Sequence, residues 1–326
     1  MIQPAEMKLE LPMKLSNNVV STTTKVWDML VASKESNLSL VKEFAKQCPE
    51  LVYAQYNYTP PIHFAVREGH IDLVKYLLSL GALDPSYIMY PFKDTLLTVA
   101  DDRGYKEIAM MLNDYMAQPE LCKYKGDNGE IEYNKTELQL EFQWAVDKEN
   151  FKRTEQILKE HPEFALDETY FWGEGILMFA AKENNRKMID LLISYGAKIP
   201  HILKWAQFYY FERLDGATYM MEKGMNPNTM SWHHITLLHD MAQKGDMEKA
   251  ELLLKYGAGI NVIDEEYQST PLGLAARWGH HDMVQLLLKH GADPNRSGAL
   301  WSTPLSWAIK KNYPKIIDLL QKAGAA

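Results

Sequence analysis

The sequence predicts an all-α protein that is built from a repeated pair of short helices. Glycines that close an apolar segment recur at spacings of 28, 33, 34 and 33 residues, at Gly196, Gly224, Gly257, Gly291 and Gly324. A fixed period of this length is the signature of a stacked repeat architecture. The composition, 46% hydrophobic and 24% charged, is typical of a folded chain.

Each repeat predicts a helix, a turn, a second helix and an extended loop. In the segment "DMVQLLLKHGA", Met283 and Leu287 fall on one apolar helical stripe, and Gly291 suits the helix end because glycine accepts a positive φ. The preceding segment "TPLGLAARW" predicts the first helix, with Thr270 as its N-cap and Pro271 in its first turn. No unit of this kind buries its apolar face alone, so the units are expected to stack.

These segments resemble the ankyrin repeat family. Residues 59–85, 269–295 and 302–325 follow the family pattern T-P-L-H-x-A-A-x-x-G-H…L-L-x-x-G-A-D closely, and residues 175–199 and 235–261 are further copies. The resemblance implies a curved solenoid of about nine repeats with projecting loop fingers. It also implies that partners, usually proteins, bind on the concave inner helices and loops, and it implies no enzymatic activity.

Two segments depart from a uniform array. Residues 118–137 interrupt the pattern, and their core "KYKGDNGEIEY" predicts a hairpin-like insertion, because Asp-Asn-Gly is flanked by β-forming residues. The sixth repeat, at about residues 200–228, is shortened, which explains the 28-residue spacing. We therefore predict a solenoid over residues 25–326, preceded by a leader segment over residues 1–24.

Composition and charge limit the classes of partner. No run approaches the ~18 consecutive apolar residues of a membrane helix, so a membrane partner is not expected. The formal charge of −8 argues against general nucleic-acid binding, which relies on surplus Lys and Arg. Cys48 and Cys122 are expected to be reduced thiols. These features predict a cytoplasmic monomer that binds a protein or peptide.

Histidines form the most conspicuous chemical cluster. The segment "WHHITLLHD" places His233, His234, His239 and Asp240 close together, and His280 and His281 follow one repeat later. In the ankyrin pattern, the positions of His239 and His280 are structural. Adjacent histidines rarely ligate one metal, and no phosphate-binding loop or nucleophile motif is present in the sequence. We predict no catalytic, cofactor-binding or metal-binding residue, with a metal-dependent enzyme that uses the loop histidines as an unfavoured alternative.

Aligning the repeats predicts which side chains face the groove. The two positions that end each inner helix are mostly charged: Lys34-Glu35, Arg67-Glu68, Asp102-Arg103, Asp147-Lys148, Lys182-Glu183, Gln243-Lys244, Arg277-Trp278 and Lys310-Lys311. In the sixth repeat, "LKWAQ" matches "FQWAV" and "LSWAI", which places Trp205 in the shared core and Phe208 and Tyr209 at the groove positions.

Aromatic residues therefore collect near the predicted groove. The candidate partner-binding residues are Phe171, Trp172, Phe208, Tyr209, Trp232, His233, Tyr267 and Trp278. Exposed Trp and Tyr bury much area at low entropic cost, which makes them common anchors in interfaces. Two alternatives stay open: these aromatics fill the space left by the shortened repeat, or they line a groove for a small molecule or glycan.

Overall fold

α-Helices make up most of the protein in a computed structural model that describes residues 1–124, 126 and 128–326. In chain order the helices are α1 Ala5–Lys8, α2 Thr23–Lys34, α3 Leu38–Gln47, α4 Pro61–Arg67, α5 Ile71–Ser79, α6 Leu96–Arg103, α7 Lys106–Met116, α8 Glu137–Asp147, α9 Phe151–Glu160, α10 Tyr170–Gly173, α11 Met178–Lys182, α12 Arg186–Ser194, α13 Ala206–Tyr209, α14 Leu214–Glu222, α15 Leu237–Lys244, α16 Met247–Lys255, α17 Pro271–Trp278, α18 His281–Lys289, α19 Pro304–Lys310 and α20 Pro314–Lys322. The strands are β1 Pro12–Lys14, β2 Val20–Thr22 and β3 Glu130–Ile131. The all-α prediction is confirmed.

The chain divides into two compact units. The N-terminal unit comprises residues 6–134, and the C-terminal unit comprises residues 135–326 together with residues 1–5. Within the N-terminal unit, α4 packs between α2 and α6. Within the C-terminal unit, the first helices of successive repeats pack side by side in the order α8, α11, α13, α15, α17 and α19. These six are called the inner helices below. In the part of the chain that the structure describes, no helix is long and apolar enough to cross a membrane.

Threonine caps start several of the inner helices, including Thr270, the cap that the sequence predicts. Thr236, Thr270 and Thr303 each have extended backbone and accept a hydrogen bond from the amide three residues on. This satisfies one of the amides that a helix start leaves without an intrahelical acceptor. After α15 and α17, Gly245 and Gly279 adopt the left-handed conformation that ends the helix.

The turn between the two helices of a repeat packs closely against the turn of the next repeat. A Cβ atom on Gly245 would lie 2.8 Å from Nδ1 of His280, and one on Gly279 would lie 2.8 Å from the Tyr313 ring. His280 also bonds through Nε2 to the carbonyl of Gln243 at 2.7 Å. The same contact joins His70 to the carbonyl at position 34 in the N-terminal unit. The structural role predicted for His280 is thus confirmed.

The first residues of the N-terminal unit form a small sheet. Strand β1 pairs antiparallel with β2 and with β3, so the strand order is β2-β1-β3. Met7 and Met13, which lie in the predicted leader segment, are buried.

The insertion at residues 118–137 contributes β3 to this sheet, in which Met13 lies opposite Ile131. The sequence predicts a hairpin-like insertion, and in the structure β3 pairs with a strand more than one hundred residues away, which a local pattern does not reveal. Asp127, in the predicted hairpin turn, lies outside the described residues. After it, Gly129 has φ +150°, and a Cβ atom there would lie 1.9 Å from the carbonyl oxygen of Gln55.

Candidate functional site

The candidate surface runs along the ends of the inner helices of the C-terminal unit. We define the inner-helix row as residues 147–148, 182–183, 208–209, 243–244, 277–278 and 310–311. Each pair includes the last residue of α8, α11, α13, α15, α17 or α19. The alignment of the repeats therefore located the end of every inner helix in this unit, including the shortened one.

Phe208 is the most exposed aromatic residue of the inner-helix row. Its side chain is 41% exposed, and its ring centroid lies 5.7 Å from that of Trp205. The Nζ atom of Lys244, on the next inner helix, lies 5.3 Å from the Phe208 ring centroid. Lys244 also bonds to Asp240 at 2.6 Å. These contacts hold the ring while leaving part of it accessible.

The four consecutive aromatic residues at positions 208–211 are divided between surface and core. Tyr209 is half-buried, whereas Tyr210 and Phe211 are buried. The Tyr210 hydroxyl donates to the carbonyl of Glu174 at 2.5 Å, and burial raises the pKa of Tyr210 well above its usual value. Tyr210 and Phe211 are thus structural, and of these four residues only Phe208 and Tyr209 reach the surface.

A left-handed turn before inner helix α11 presents Trp172. Phe171 has φ 50° and Trp172 has φ 61°, a region that non-glycine residues rarely occupy. Phe171 is buried with its ring 4.8 Å from that of Phe179, while Trp172 is 58% exposed. The Phe171 amide donates to Oε1 of Gln143 on α8 at 3.2 Å, which fixes the turn.

Glu174 joins this turn to the sixth repeat. Its side chain is fully buried, and Oε1 accepts hydrogen bonds from the amides of Lys204 and Trp205 at 2.8 and 2.7 Å. The same residue accepts from Tyr210 through its carbonyl. Buried Glu174 therefore fixes the conformation of the backbone at the start of the segment that carries Trp205 and Phe208.

Three of the candidate residues from later loops lie in the interior. Trp232, His233 and Tyr267 are each less than 5% exposed, and His233 Nδ1 lies 2.5 Å from Oε1 of buried Glu266. Phe171 is buried as well. Four of the eight candidate residues are therefore too buried in this structure to contact a partner. Successive loops pack on one another, and that burial depends on residues about 30 positions apart, beyond the reach of local sequence pattern.

Arg277 was predicted to face the groove, and this prediction is wrong. Its side chain is 5% exposed, and its guanidinium carbon lies 4.3, 4.2 and 5.1 Å from the ring centroids of Tyr267, Trp278 and Trp307. Aromatic faces attract a guanidinium that has lost water contact. Trp278, which is half-buried, covers this cation. In the N-terminal unit, Arg67 and Asp102 are likewise buried, contrary to expectation.

Comparison with known families fits this arrangement of capped helix pairs. The family described as "Ankyrin repeats (3 copies)" matches residues 213–297 and 238–326, and the family described as "Ankyrin repeat" matches residues 58–88. The protein is an ankyrin repeat protein. The number of repeats, about nine, stays a prediction.

Relatives of this ankyrin repeat protein are of several kinds. Palmitoyltransferase ZDHHC13 of Mus musculus is 37% identical over 124 residues, which cover 38% of this chain and 20% of the relative. Transient receptor potential cation channel subfamily A member 1 of Homo sapiens is 23% identical over 313 residues, covering 81% and 27%. Ankyrin repeat protein FPV115 of Fowlpox virus (strain NVSL) is 26% identical over 359 residues, covering 84% and 64%. The chain thus spans less than two thirds of the length of each relative.

The histidines of this cluster make structural contacts within the ankyrin repeat protein. His239 is buried, its Nδ1 accepts from the Thr236 hydroxyl at 2.8 Å, and its Nε2 bonds to the carbonyl of Ser269 in the next repeat at 3.2 Å. Burial lowers the pKa of His239 to about 4. His234 bonds to Glu265 at 2.9 Å, and His281 bonds to Asp282 at 3.1 Å. The predicted structural role of His239 is confirmed.

Trp144 is a surface residue that the sequence reasoning placed in the core. Its side chain is 61% exposed, Trp205 is half-buried, and the equivalent Trp307 is buried. Trp307 donates through Nε1 to Ser269 of the preceding repeat at 2.8 Å. Helix α8 is the first inner helix of its unit, so Trp144 has no preceding repeat of that unit to pack on. The position of Trp144 directly after the insertion is the feature of the sequence that could have indicated its exposure.

Proposed function

We propose that this ankyrin repeat protein is a non-catalytic module that binds a protein or peptide on the inner-helix row. Ankyrin repeats are generally protein–protein interaction modules, which supports the class of function. The observation that carries the proposal is Phe208, an exposed aromatic ring at a position where most other repeats end in a charged residue. Trp172, Tyr209 and Trp278 are the accompanying contacts.

The surroundings of Phe208 suit an interface anchor. Its ring is held between Trp205 and the Lys244 ammonium, so little side-chain freedom remains to be lost on binding. The turn that presents Trp172 is fixed by the hydrogen bond from Phe171 to Gln143. Aromatic residues in pre-formed surroundings of this kind are the ones that dominate binding energy in interfaces.

The polar groups near the row favour binding over catalysis. Asp240 is buried and bonded to Lys244, and burial raises the pKa of its carboxyl. The pKa of His239, at about 4, leaves this imidazole neutral near neutral pH and poorly matched to acid–base work there. The transfer and channel functions in the names of the relatives are those of longer proteins, and this proposal assigns neither to this chain.

An affinity-capture experiment with paired variants tests the proposal. The full chain, the double variant Trp172→Ala with Phe208→Ala, and the control Leu166→Ala with Met110→Ala are immobilised, and captured proteins are identified by mass spectrometry. All four side chains are exposed, so each pair removes similar surface area. We expect the first pair to reduce capture at least about tenfold while the control retains it.

Thermal melting separates binding from stability. Both variants should melt within about 3 °C of the wild type, because exposed side chains contribute little to folding. Capture that is unchanged in the Trp172/Phe208 variant would contradict the proposal. A glycan array signal that the same variant loses, without protein capture, would instead favour the small-molecule or glycan alternative, for which the paired rings of Trp205 and Phe208 are the platform.

A further inference from the structure

A buried carboxylate stands at an otherwise apolar position of the inner helices in the C-terminal unit. Asp240 lies three positions before the first residue of its pair in the inner-helix row, and it is 2% exposed. At the equivalent positions the other five inner helices carry apolar residues, namely Trp144, Phe179, Trp205, Leu274 and Trp307. Burial of a charged group costs free energy unless the group is fully paired. Stacking of the repeats alone therefore does not account for an aspartate at this position.

The fold satisfies only one of the two carboxylate oxygens of Asp240. Oδ2 accepts a hydrogen bond from the Lys244 ammonium at 2.6 Å, whereas Oδ1 is buried and has no hydrogen-bond partner among the residues that the structure describes. Burial raises the pKa of this carboxyl in spite of the opposing effect of Lys244. Lys249 and Asp246 also act on the carboxyl, but these two residues pair with each other at 2.9 Å. Asp240 therefore keeps an unused capacity to accept hydrogen bonds.

Lys244 is a replaceable occupant of the space next to Asp240. Its side chain is 44% exposed, so its ammonium reaches the carboxylate from the surface of the inner-helix row. The same ammonium lies 5.3 Å from the Phe208 ring centroid, and the Trp205 ring lies beside Phe208. A lysine side chain is a long flexible stem that can turn out into solvent while the backbone stays in place. The carboxylate and the aromatic face that it leaves both attract another cation.

We propose that an arginine of the bound protein or peptide displaces Lys244 and binds between the Asp240 carboxylate and the Phe208 ring. The inference rests on the proposed function and names the partner residue that the inner-helix row recognises. A guanidinium presents parallel N–H donors that bond both oxygens of one carboxylate, whereas the Lys244 ammonium bonds only Oδ2. Its planar face also stacks on an aromatic ring, which suits the exposed face of Phe208. The exchange of Lys244 for arginine thus gains a hydrogen bond to Oδ1.

Selection from a random phage-displayed peptide library on the immobilised full chain tests this proposal. We expect the enriched peptides to share an arginine, and their binding is then measured by isothermal titration calorimetry. Asp240→Asn removes the negative charge with little change in shape, so it should weaken the binding of these peptides at least about tenfold. Citrulline in place of the shared arginine keeps the shape and removes the positive charge, so it should weaken binding to a similar extent.

Two changes at Lys244 should have opposite effects, because this residue competes with the partner arginine. Lys244→Ala removes the competing cation, so the selected peptides should bind at least about threefold more tightly. Lys244→Arg supplies a guanidinium from within the chain, so peptide binding should weaken at least about tenfold. The matched controls are Asp318→Asn and Lys322→Ala, which change the exposed pair of the same spacing on α20 and should alter binding less than about twofold.

The outcomes separate this arginine site from the proposed function. Peptides that depend on Phe208 but lack arginine, or that bind Asp240→Asn or Lys244→Arg as tightly as the wild type, overturn the arginine site alone. Binding to Lys244→Ala that is no tighter than to the wild type contradicts the displacement of Lys244. No enrichment, or enrichment that is insensitive to Phe208→Ala, overturns the proposed function as well. If Asp240→Asn does not fold, the citrulline peptide and Lys244→Arg decide the result, because both leave the buried carboxylate in place.

Discussion

At the scale of single residues, burial decides which aromatic side chains are available to a partner. Phe208 and Trp172 project from short elements whose backbones are held by Glu174 and Gln143, so both rings stay at the surface. Tyr267 has the same kind of side chain but lies beneath Trp278 and beside buried Arg277. The chemistry of the side chain is similar in each case, and the neighbouring loop determines the outcome.

The burial of His239 predicts how the free energy of unfolding depends on pH in the acidic range. Its pKa is about 4 in the folded chain and 6.5 in the absence of burial, so the unfolded chain binds a proton first as the pH falls. The free energy of unfolding should therefore fall between pH 6.5 and pH 4. The contribution of this residue is on the order of 3 kcal/mol, because one pKa unit corresponds to about 1.4 kcal/mol.

Urea unfolding of His239→Gln at pH 7 and at pH 4.5 measures this contribution. The variant should lose less stability on acidification than the wild type, although it is less stable at pH 7. His281→Gln changes a half-exposed histidine of the next repeat and serves as the control, with the wild-type dependence on pH expected. An equal loss on acidification in the wild type and in His239→Gln would show that His239 does not titrate as its burial requires.

At the scale of helices and turns, local pattern predicts what local contacts determine. The Thr270 cap, the left-handed Gly291 after α18 and the end of each inner helix of the C-terminal unit follow from residues within one repeat, and the sequence located them. The partner of β3 and the burial of Trp232 and Tyr267 depend on chain segments far away in sequence, and the sequence did not reveal them. Burial separates the aromatic cluster into a packed part, which includes Trp232 and Tyr267, and a surface part, which includes Trp172 and Phe208.

The turn contact between repeats gives an element-scale prediction. Gly279→Ala places a methyl group in a left-handed conformation, at about 1–2 kcal/mol, and also 2.8 Å from the Tyr313 ring. Gly291→Ala has a similar φ, +87°, but no neighbouring atom within 4 Å. We therefore expect Gly279→Ala to lower the free energy of unfolding clearly more than Gly291→Ala, measured by urea unfolding. Equal losses would mean that the turn contact adds nothing to the backbone strain.

At the scale of the whole molecule, stability is shared between neighbouring repeats. Each inner helix of the C-terminal unit packs on its neighbours in the row, with one neighbour for α8 and for α19 and two for the others. A local loss of stability should therefore spread only through these contacts between neighbours. The inner-helix row, which we propose as the binding surface, includes residues from all six of these repeats. A partner that contacts several of these repeats at once would therefore raise the stability of the stacked repeats, because it binds only the folded state.

Removing Trp307 tests how far such a loss spreads. The ring is fully buried in the last repeat, contacts Tyr267 and donates to Ser269, so Trp307→Ala should cost about 3–5 kcal/mol locally. Hydrogen exchange followed by mass spectrometry should show strongly faster exchange in α19 and α20, a smaller increase in α17 and α18, and no change in α8 and α9. Such a gradient is the behaviour of a chain whose repeats are coupled only to their neighbours, whereas a uniform increase across the C-terminal unit would mean that it opens as one cooperative block. In the first case, the contacts that Phe208 makes with Trp205 and Lys244 should survive the loss of order in α19, because α13 packs on α11 and α15.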